Sequence, residues 1–275
     1  MKSVPDASPI GNDLTTLAVR HDGWALHVTL DRPEVKNAMS SEMVSEVSAV
    51  FESIADAGDV RCVVLRGAAE TFCAGADVRD MSALRHPPPK DGEDPAVTTN
   101  RAFGTLLTQI DRAPQAVVCV VEGVALGGGL GLVCVSDVAL TIDSCRFGTP
   151  EAKLGLVPAQ IMSFVVHRVG PTAARRLAVT GAMIDGREAR RLGLVHESFA
   201  DATTLEAAVD ETLRQISRCG PRAVAAAKAI LHSVGTVDHD RLLDDAATIF
   251  ARTVRSGEAR EGIAAFLDKR LPDWA

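Results

Sequence analysis

Several features are missing from this sequence of 275 residues, and each absence excludes a class of protein. No run approaches the roughly 18 uncharged apolar residues of a membrane-spanning helix. The six cysteines lie mostly in apolar runs without CxxC spacing, so we expect no zinc or other metal site and reduced thiols, as in a cytoplasmic protein. Basic residues are not in excess: the net charge of −7 argues against a nucleic-acid partner.

The order of the remaining sequence predicts an α/β fold followed by helices. Residues 1–12 are polar and Pro-rich without an apolar h-region, so we expect a flexible N-terminus and no secretory signal. Strands alternate with helices over 13–200, and only helical patterns occur over 201–275. The helices of this last region carry apolar stripes that suit packing against another subunit.

Local patterns predict the individual elements of the α/β part. Strands over 14–20 and 24–30 flank the turn sequence HDG, and the stretch 40–58 predicts a helix with Ser40 as its N-cap. That helix places Met43, Val47, Val50 and Ile54 on one stripe. Further predictions are strands over 60–67, 116–121 and 137–142, helices near 96–111 and 159–169, and a mobile surface loop over 79–95.

The stretch ALGGGLGLV, residues 125–133, follows a buried strand and places three consecutive glycines at the start of a short helix. A dinucleotide-binding GxGxxG would need glycine where the chain has Cys134, and GK[ST] and GxSxG are absent. Glycines at a helix N-terminus let a ligand atom reach free N–H groups. A close crossing of strand and helix is the alternative explanation.

A second turn favours the ligand interpretation. ETFCAGADVRDM, residues 70–81, ends another apolar strand and again offers bare N–H groups. Two such strand ends are able to direct two amides at one oxygen, as in an oxyanion hole for a thioester enolate.

The order and spacing of five stretches resemble the enoyl-CoA hydratase/isomerase (crotonase) superfamily over nearly the whole chain. They are RPEVKNAMS (32–40), FCAGADV (72–78), GVALGGG (123–129), FGTPEAKLGLVP (147–158) and FLDKRLPDW (266–274). The resemblance implies a crotonase-like spiral of ββα turns with a C-terminal helical trimerisation region. It also implies a homotrimer or a dimer of trimers that acts on an acyl-CoA thioester without a metal or redox cofactor.

The resemblance also implies roles for individual residues. The oxyanion amides fall on Ala76 and Gly128, and the remaining family glutamate falls on Glu151, which alone would otherwise be read as surface charge. Asp77 is implied to contact the substrate, but it could instead cap a turn. Arg79 and Lys269 are implied to lie near the CoA phosphates, but they could instead be solvated surface cations. Lys269 is expected to reach a neighbouring subunit. The implied substrate and CoA contacts are Val35, Ala74, Asp77, Val78, Arg79, Gly131, Pro150, Gln160 and Lys269.

Gly131 departs from the family pattern. Typical hydratases read GGGCEL, with a glutamate at the position of Gly131, and continue after the second glutamate as PxxGGTQRL, where this chain reads PAQIMSFVV. This form resembles the methylglutaconyl-CoA and isohexenylglutaconyl-CoA hydratase branch. The resemblance implies that Gly131 enlarges the pocket for a branched acyl group. The alternative is that Gly131 has no role in the pocket beyond the absence of a side chain. Gln160 is expected either to contact substrate or to be a polar residue of a first helical turn.

Three functions are compatible with this sequence. The first is hydration of a branched α,β-unsaturated acyl-CoA, with Glu151 as the single acid–base group. The second is double-bond isomerisation, because one carboxylate is able to remove a proton and return it to another carbon. The third is acyl-CoA binding with little turnover, since a catalytic carboxylate of the family is absent.

Overall fold

The computed structural model describes residues 14–86 and 92–275, so the predicted flexible segment 1–12 lies outside the described residues. Two sheets form the α/β part. The larger sheet has six strands and the smaller has three.

The strands are β1 (Leu17–Asp22), β2 (Ala25–Leu30), β3 (Cys62–Gly67), β4 (Ala116–Val121), β5 (Val124–Leu126), β6 (Val138–Ile142), β7 (Arg146–Gly148), β8 (Met183–Asp185) and β9 (Glu197–Phe199). The order in the larger sheet is β1-β2-β3-β4-β6-β9, with β1 antiparallel to β2 and the other pairs parallel. In the smaller sheet, β5 pairs parallel with β7, and β7 pairs antiparallel with β8. The helices are α1 (Ser41–Ile54), α2 (Val78–Ala83), α3 (Pro95–Asp111), α4 (Gly128–Cys134), α5 (Met162–Thr180), α6 (Gly186–Arg191), α7 (Ala202–Ser217), α8 (Pro221–Ser233), α9 (His239–Val254) and α10 (Gly257–Leu267). Short 3₁₀ helices span Pro33–Val35 and Pro150–Leu154.

The predicted first hairpin and first helix are confirmed. Leu17 to Asp22 pair antiparallel with Leu30 to Ala25. Ser40 caps α1 by accepting a hydrogen bond from the Met43 amide at 3.2 Å. The predicted apolar stripe of α1 is fully buried, because these side chains face the core on successive helical turns.

The six-stranded sheet is covered on both faces, which explains its continuous apolar strands. Side chains alternate along β3: Val63 and Leu65 join the core cluster that contains α1 and α3, whereas Cys62 and Val64 face the other way. Leu205 and Val209 of α7 complete the cluster on that second face. The first helix of the C-terminal region therefore packs on the sheet of its own chain.

Two local predictions need correction. The predicted loop over 79–95 contains most of helix α2. Asp77 caps the start of this helix, where its side chain accepts a hydrogen bond from the Arg79 amide. Residues 87–91 of the predicted loop lie outside the described residues. The helix predicted near 159–169 begins at Met162 and is followed by a second helical segment up to Thr180. Gly170, with φ of 75°, breaks the helix immediately before Pro171, because proline disfavours a helical residue before it.

Apolar side chains remain exposed on α8 to α10 and just after them. The most exposed are Leu231 at 69%, Phe250 at 70%, Phe266 at 83%, Leu267 at 72% and Leu271 at 63%.

Among the described helices, none combines the length and the apolar character needed to cross a membrane.

Arg61 joins the C-terminal end of the chain to the sheet. Its guanidinium carbon lies 5.1 Å from the centre of the Trp24 ring. Its nitrogens donate hydrogen bonds to the carbonyl oxygens of Ser217, Cys219 and Trp274. One arginine therefore holds the end of α7 and the chain terminus together.

We expect Arg61→Ala to lower the free energy of unfolding by about 2 kcal/mol, because hydrogen bonds from a charged donor are lost together with the ring contact. Chemical denaturation of both variants measures this. Arg66→Ala is the matched control: Arg66 pairs with the half-exposed Glu206, and such a pair contributes about 0–1 kcal/mol. Equal losses in the two variants would contradict the anchoring role of Arg61.

Candidate active site

The segment RPEVKNAMS supports the predicted oxyanion loop at 72–77. Asn37 is fully buried, and its amide nitrogen donates to the carbonyl oxygens of Ala68 and Thr71. Met39 then pairs with the loop in both directions: its amide donates to the Gly75 carbonyl at 2.8 Å, and its carbonyl accepts from the Asp77 amide at 2.9 Å. These bonds leave Ala76, between Gly75 and Asp77, with its amide directed away from Met39.

The glycine loop lies directly beside this segment. The Cys73 amide donates to the Val124 carbonyl at 2.9 Å, and the Cys73 carbonyl accepts from Leu126 at 3.0 Å. Gly75 and Gly127 lie near each other: a β-carbon on Gly127 would be in ordinary contact with the Gly75 Cα, at 3.8 Å. Gly127 has φ of 48°, in the region where glycine is favoured. Glycine is therefore needed at 127 for its backbone conformation.

The two predicted oxyanion amides are both free of protein acceptors in the part of the chain that the structure describes. Gly128 is the first residue of α4, where a helix leaves its N–H groups unpaired. A β-carbon on Gly128 would lie 3.3 Å from the sulfur of Met39, the same residue that pairs with the strand around Ala76. The predicted donors therefore belong to two loops that Met39 holds together.

Glu151 lies beside the glycine loop. It lies on the 3₁₀ helix Pro150–Leu154, half-buried, and its Oε2 is buried without a hydrogen-bond partner among the described residues. Its Oε1 would be 2.5 Å from a β-carbon on Gly127, so the carboxylate lies against the glycine loop. Burial raises the pKa of the Glu151 carboxyl because it removes water from the charged form. An unpaired carboxyl with a raised pKa is suited to proton transfer.

The space beside Gly131 differs from the expectation of an enlarged pocket. Gly131 is buried, and a β-carbon there would lie 2.6 Å from Cγ2 of Ile161 and 3.3 Å from Cδ1 of Leu107. Both of these side chains are themselves buried. The volume that a longer side chain would need at Gly131 is therefore already filled by Ile161.

Asp77 has the capping role that the sequence allowed. Burial opposes its ionisation, but hydrogen bonds from the Arg79 amide and the Arg32 guanidinium outweigh burial and lower the pKa of the Asp77 carboxyl. The Arg32–Asp77 ion pair measures 2.8 Å. A carboxylate held ionised by two donors stabilises the loop and is poorly suited to proton transfer at neutral pH.

The other predicted binding residues divide into two groups. Val35 ends the first 3₁₀ helix, Ala74 donates its amide to the Lys36 carbonyl, and Pro150 precedes Glu151, so these residues lie on the segments that form the site. Val78 and Arg79 are exposed at the start of α2, and Lys269 is exposed after α10. No ion pair involves Arg79 or Lys269 among residues 14–86 and 92–275, so their predicted contact with CoA phosphates stays a prediction.

Gln160 precedes α5 and contacts helix α3. Its side-chain nitrogen donates to Asn100 Oδ1 at 2.9 Å, and its side-chain oxygen lies against Gly104. Gln160 does not lie in the first turn of a helix, which was one of its two interpretations, because α5 begins at Met162. Gln160 holds the segment before α5 against α3.

Sequence reasoning missed Asn37, Met39, Phe103 and Ile161. Phe103 Cζ would lie 3.2 Å from a β-carbon on Gly128, so α3 contributes to the wall of the site. Apolar residues such as Met39 and Ile161 give no chemical signal in a sequence. Asn37 did have one, because asparagine is among the few non-glycine residues that tolerate a positive φ, and here its φ is 53°.

The described ranges contain no group of three or more His, Cys, Asp or Glu side chains arranged to hold a metal ion. The site thus consists of two free amides, one unpaired carboxyl and an apolar wall.

Two backbone amides without acceptors, near a buried carboxyl, are the groups that an enzyme would need to form an enolate from a thioester. The chain belongs to the enoyl-CoA hydratase/isomerase family, whose sequence pattern matches residues 23–275.

Individual relatives agree with this membership. The structure of Pseudomonas aeruginosa AtuE is 50% identical, covers 95% of this chain and 100% of its own, and superposes with a TM-score of 0.91. An enoyl-CoA hydratase/isomerase from Marinobacter aquaeolei is 43% identical over 94% of this chain and 98% of its own, also with a TM-score of 0.91. A protein of Mycobacterium leprae (strain TN) described as "Probable enoyl-CoA hydratase echA8" is 34% identical over 90% of this chain and 93% of its own.

Proposed function

We propose that this protein is an acyl-CoA hydratase that adds water to a branched α,β-unsaturated acyl-CoA thioester. The observation that carries the proposal is the position of Glu151. Its unpaired carboxyl lies against Gly127, the residue before the free Gly128 amide. Membership of a family of acyl-CoA hydratases and isomerases supports the choice of a thioester substrate.

In the proposed reaction, the thioester oxygen accepts hydrogen bonds from the amides of Ala76 and Gly128. The water oxygen bonds to the β-carbon while Glu151 accepts a proton from that water, and the π electrons move to the thioester oxygen as an enolate. Glu151 then returns the proton to the α-carbon, and the carbonyl re-forms. One carboxyl completes the balance, because the water supplies both the hydroxyl group and the added hydrogen.

We further propose how the acyl-CoA is bound. Arg79 and Lys269 are the cations for the CoA phosphates, and Lys269 acts from a neighbouring subunit. Ala74, Asp77 and Val78 belong to the loop that the CoA passes, with Val35 and Pro150 at its sides. The proposed chemistry calls for no metal or redox group, since the enolate charge is held by backbone amides and the helix terminus.

Double-bond isomerisation is the second candidate, and the observation that favours it is Gly131. With no glutamate at that position, Glu151 is the only acid–base group assigned to the site, and one group suffices to move a proton between two carbons. An acyl-CoA-binding protein with little turnover is the third candidate.

A panel of thioesters distinguishes these candidates. Purified protein is incubated with 2-enoyl-, 3-enoyl- and 3-methylglutaconyl-CoA, and the products are analysed by mass and chromatography. We expect the mass of one water to be gained, most rapidly with the branched 3-methylglutaconyl ester, as in the hydratase branch that the sequence resembles. Isomerisation at constant mass would replace the hydratase proposal, and binding without conversion would leave the third candidate.

We also propose a homotrimer or a dimer of trimers. The exposed apolar side chains of α8 to α10 would be covered by neighbouring subunits, as the hydrophobic effect favours. Light scattering at micromolar concentration should give three or six times the chain mass of 29.0 kDa. Phe250→Asp and Phe266→Asp, each of which places a charge in this surface, should reduce that mass. A stable monomer of the unmodified protein would contradict the proposal and the role of Lys269 across subunits.

A further inference from the structure

Hydrogen bonds hold the loop of residues 73–77 on both sides of Ala76. Four amides of this loop donate to acceptors of the protein: those of Cys73, Ala74, Gly75 and Asp77. The Ala76 amide has no acceptor in the part of the chain that the structure describes. The direction of this free amide is therefore set by the contacts that fix its neighbours.

A chain of hydrogen bonds leads from Arg32 to the Ala76 amide. Nη1 of Arg32 donates to the Ala38 carbonyl at 2.6 Å, and the Met39 amide, in the same peptide unit as that carbonyl, donates to the Gly75 carbonyl at 2.8 Å. The Gly75 carbonyl and the Ala76 amide in turn share one planar peptide unit. Because successive hydrogen bonds polarise one another, the guanidinium charge makes the Ala76 N–H a stronger donor.

The second arm of the guanidinium holds the other side of Ala76. Nη2 of Arg32 donates to Asp77 Oδ2 at 2.8 Å, and Asp77 Oδ1 accepts from the Arg79 amide. The side chains of Arg32 and Asp77 are only 18% and 6% exposed, so water competes little for this ion pair. Arg32 therefore joins the segment before Met39 to the residue after Ala76 in the fixed fork geometry of arginine.

The backbone of Arg32 is itself anchored. Its amide donates to Asn37 Oδ1 at 2.9 Å, and Asn37 Nδ2 donates to the carbonyl oxygens of Ala68 and Thr71. Asn37 is fully buried, which limits its movement. The guanidinium thus acts on the loop from a fixed base.

We propose that Arg32 is a positioning residue of the oxyanion hole: it orients the Ala76 amide and, through two successive peptide units, polarises it towards the enolate oxygen. The proposal rests on the proposed function, in which Ala76 is one of the two donors. Arg32 itself touches no reacting atom in that scheme. Since the thioester oxygen gains negative charge in the transition state, an oriented and polarised donor stabilises that state more than the bound substrate.

Turnover and affinity should therefore respond differently to a change at Arg32. Arg32→Gln, which keeps one N–H donor but removes the charge and the fork, should lower turnover about 10²-fold, the scale for a misplaced group or a lost oxyanion donor. The dissociation constant of butyryl-CoA, a saturated and unreactive thioester, should change little. Arg32→Lys keeps the charge without the fork, so its rate should lie between the two.

Arg66→Gln is the matched control. Arg66 also forms a two-armed ion pair, with Glu206 at 2.6 and 2.7 Å, but neither residue has a place in the proposed site. The control should keep the turnover and the affinity of the unmodified protein.

Infrared difference spectroscopy of butyryl-CoA labelled with ¹³C at the thioester carbonyl measures the donors without turnover. Hydrogen bonds from the oxyanion amides weaken the C=O bond, so binding should move its band to lower wavenumber. The shift should be smaller in Arg32→Gln, partly restored in Arg32→Lys and unchanged in Arg66→Gln. A role confined to stability would lower the unfolding temperature without moving this band.

Asp77→Asn tests the same ion pair from the loop side if Arg32→Gln does not fold. It keeps an oxygen for the Arg79 amide but removes the charge that faces Arg32, so turnover and the band shift should again decrease. A folded variant of either kind with unchanged turnover at saturation, or with the band shift of the unmodified protein, would overturn the proposal. So would a band that does not move when the unmodified protein binds the ester.

The failure of hydration has a different signature. A protein that converts no ester, but shows the band shift and its reduction in Arg32→Gln, would refute the proposed hydration and retain the role of Arg32.

Discussion

Glu151→Gln should lower turnover at least ~10²-fold, the usual scale for the loss of a general acid–base group. Glutamine keeps the size of the side chain and its position against Gly127 but is unable to accept a proton from water. The affinity for the acyl-CoA should persist, because the proposed thioester contacts are backbone amides. Steady-state rates and a binding titration with a saturated thioester measure the two quantities separately.

Glu122→Gln is the matched control for this variant. Glu122 is also half-buried, and burial raises the pKa of its carboxyl, but it has no place in the proposed site. The control should retain the rate of the unmodified protein. An unchanged rate in Glu151→Gln would contradict the single-carboxyl mechanism.

The raised pKa of Glu151 also predicts two dependences on pH. As the base, the carboxyl must be ionised, so the rate should fall as the pH decreases through the raised pKa. The stability of the fold should change with pH in the opposite direction. The folded protein holds the Glu151 proton more tightly than the unfolded chain does, because the pKa is raised in the folded state. This contribution to the free energy of unfolding is present at low pH and is lost as the pH rises through the folded pKa. Glu151→Gln should therefore unfold at a higher temperature than the unmodified protein at neutral pH, and this difference should disappear in acid.

Gly128→Val should lower turnover by about 10²–10³, the effect of losing one oxyanion donor. The new β-carbon would lie 3.2 Å from Phe103 Cζ and 3.3 Å from Met39 Sδ. We expect the larger side chain to obstruct the approach of the thioester oxygen to the amide. Gly128→Ala, which adds only the β-carbon, should have a smaller effect. Circular dichroism and thermal unfolding establish that the fold is retained.

Gly58→Val is the control for adding a side chain to a glycine. Gly58 is exposed, and apart from its two chain neighbours no residue lies within 4 Å of an added β-carbon, so activity should be unchanged. Full activity in Gly128→Val would place the oxyanion hole in a different loop.

The sequence predicted the parts of the fold that have a strong periodic pattern. The buried stripe of α1 and the alternation of strands with helices follow from apolar spacing, and the spiral architecture came from the resemblance to a known family. The strands β5, β7, β8 and β9 were not predicted, because three residues are too few to show a period of two. The helical segment after Gly170 was missed at the glycine–proline pair, where a sequence pattern indicates an end of helix.

The site shows a similar division. Glu151, Gly128 and Ala76 were assigned through the resemblance to a known family, and the structure brings their segments together. The sequence left two interpretations of Gly131 open, added space or simply no side chain, because the filling of that space depends on Ile161, thirty positions away in sequence. Tertiary contacts of apolar side chains decide pocket shape, and no local pattern encodes them.

Reaction in water labelled with ¹⁸O is the measurement that tests hydration by Glu151 most directly. The unmodified protein, incubated with 3-methylglutaconyl-CoA in this water, should give a product with one labelled oxygen on the β-carbon. Glu151→Gln should incorporate the label at least ~10²-fold more slowly. A product of unchanged mass, or equal incorporation by the two proteins, would contradict the proposed reaction.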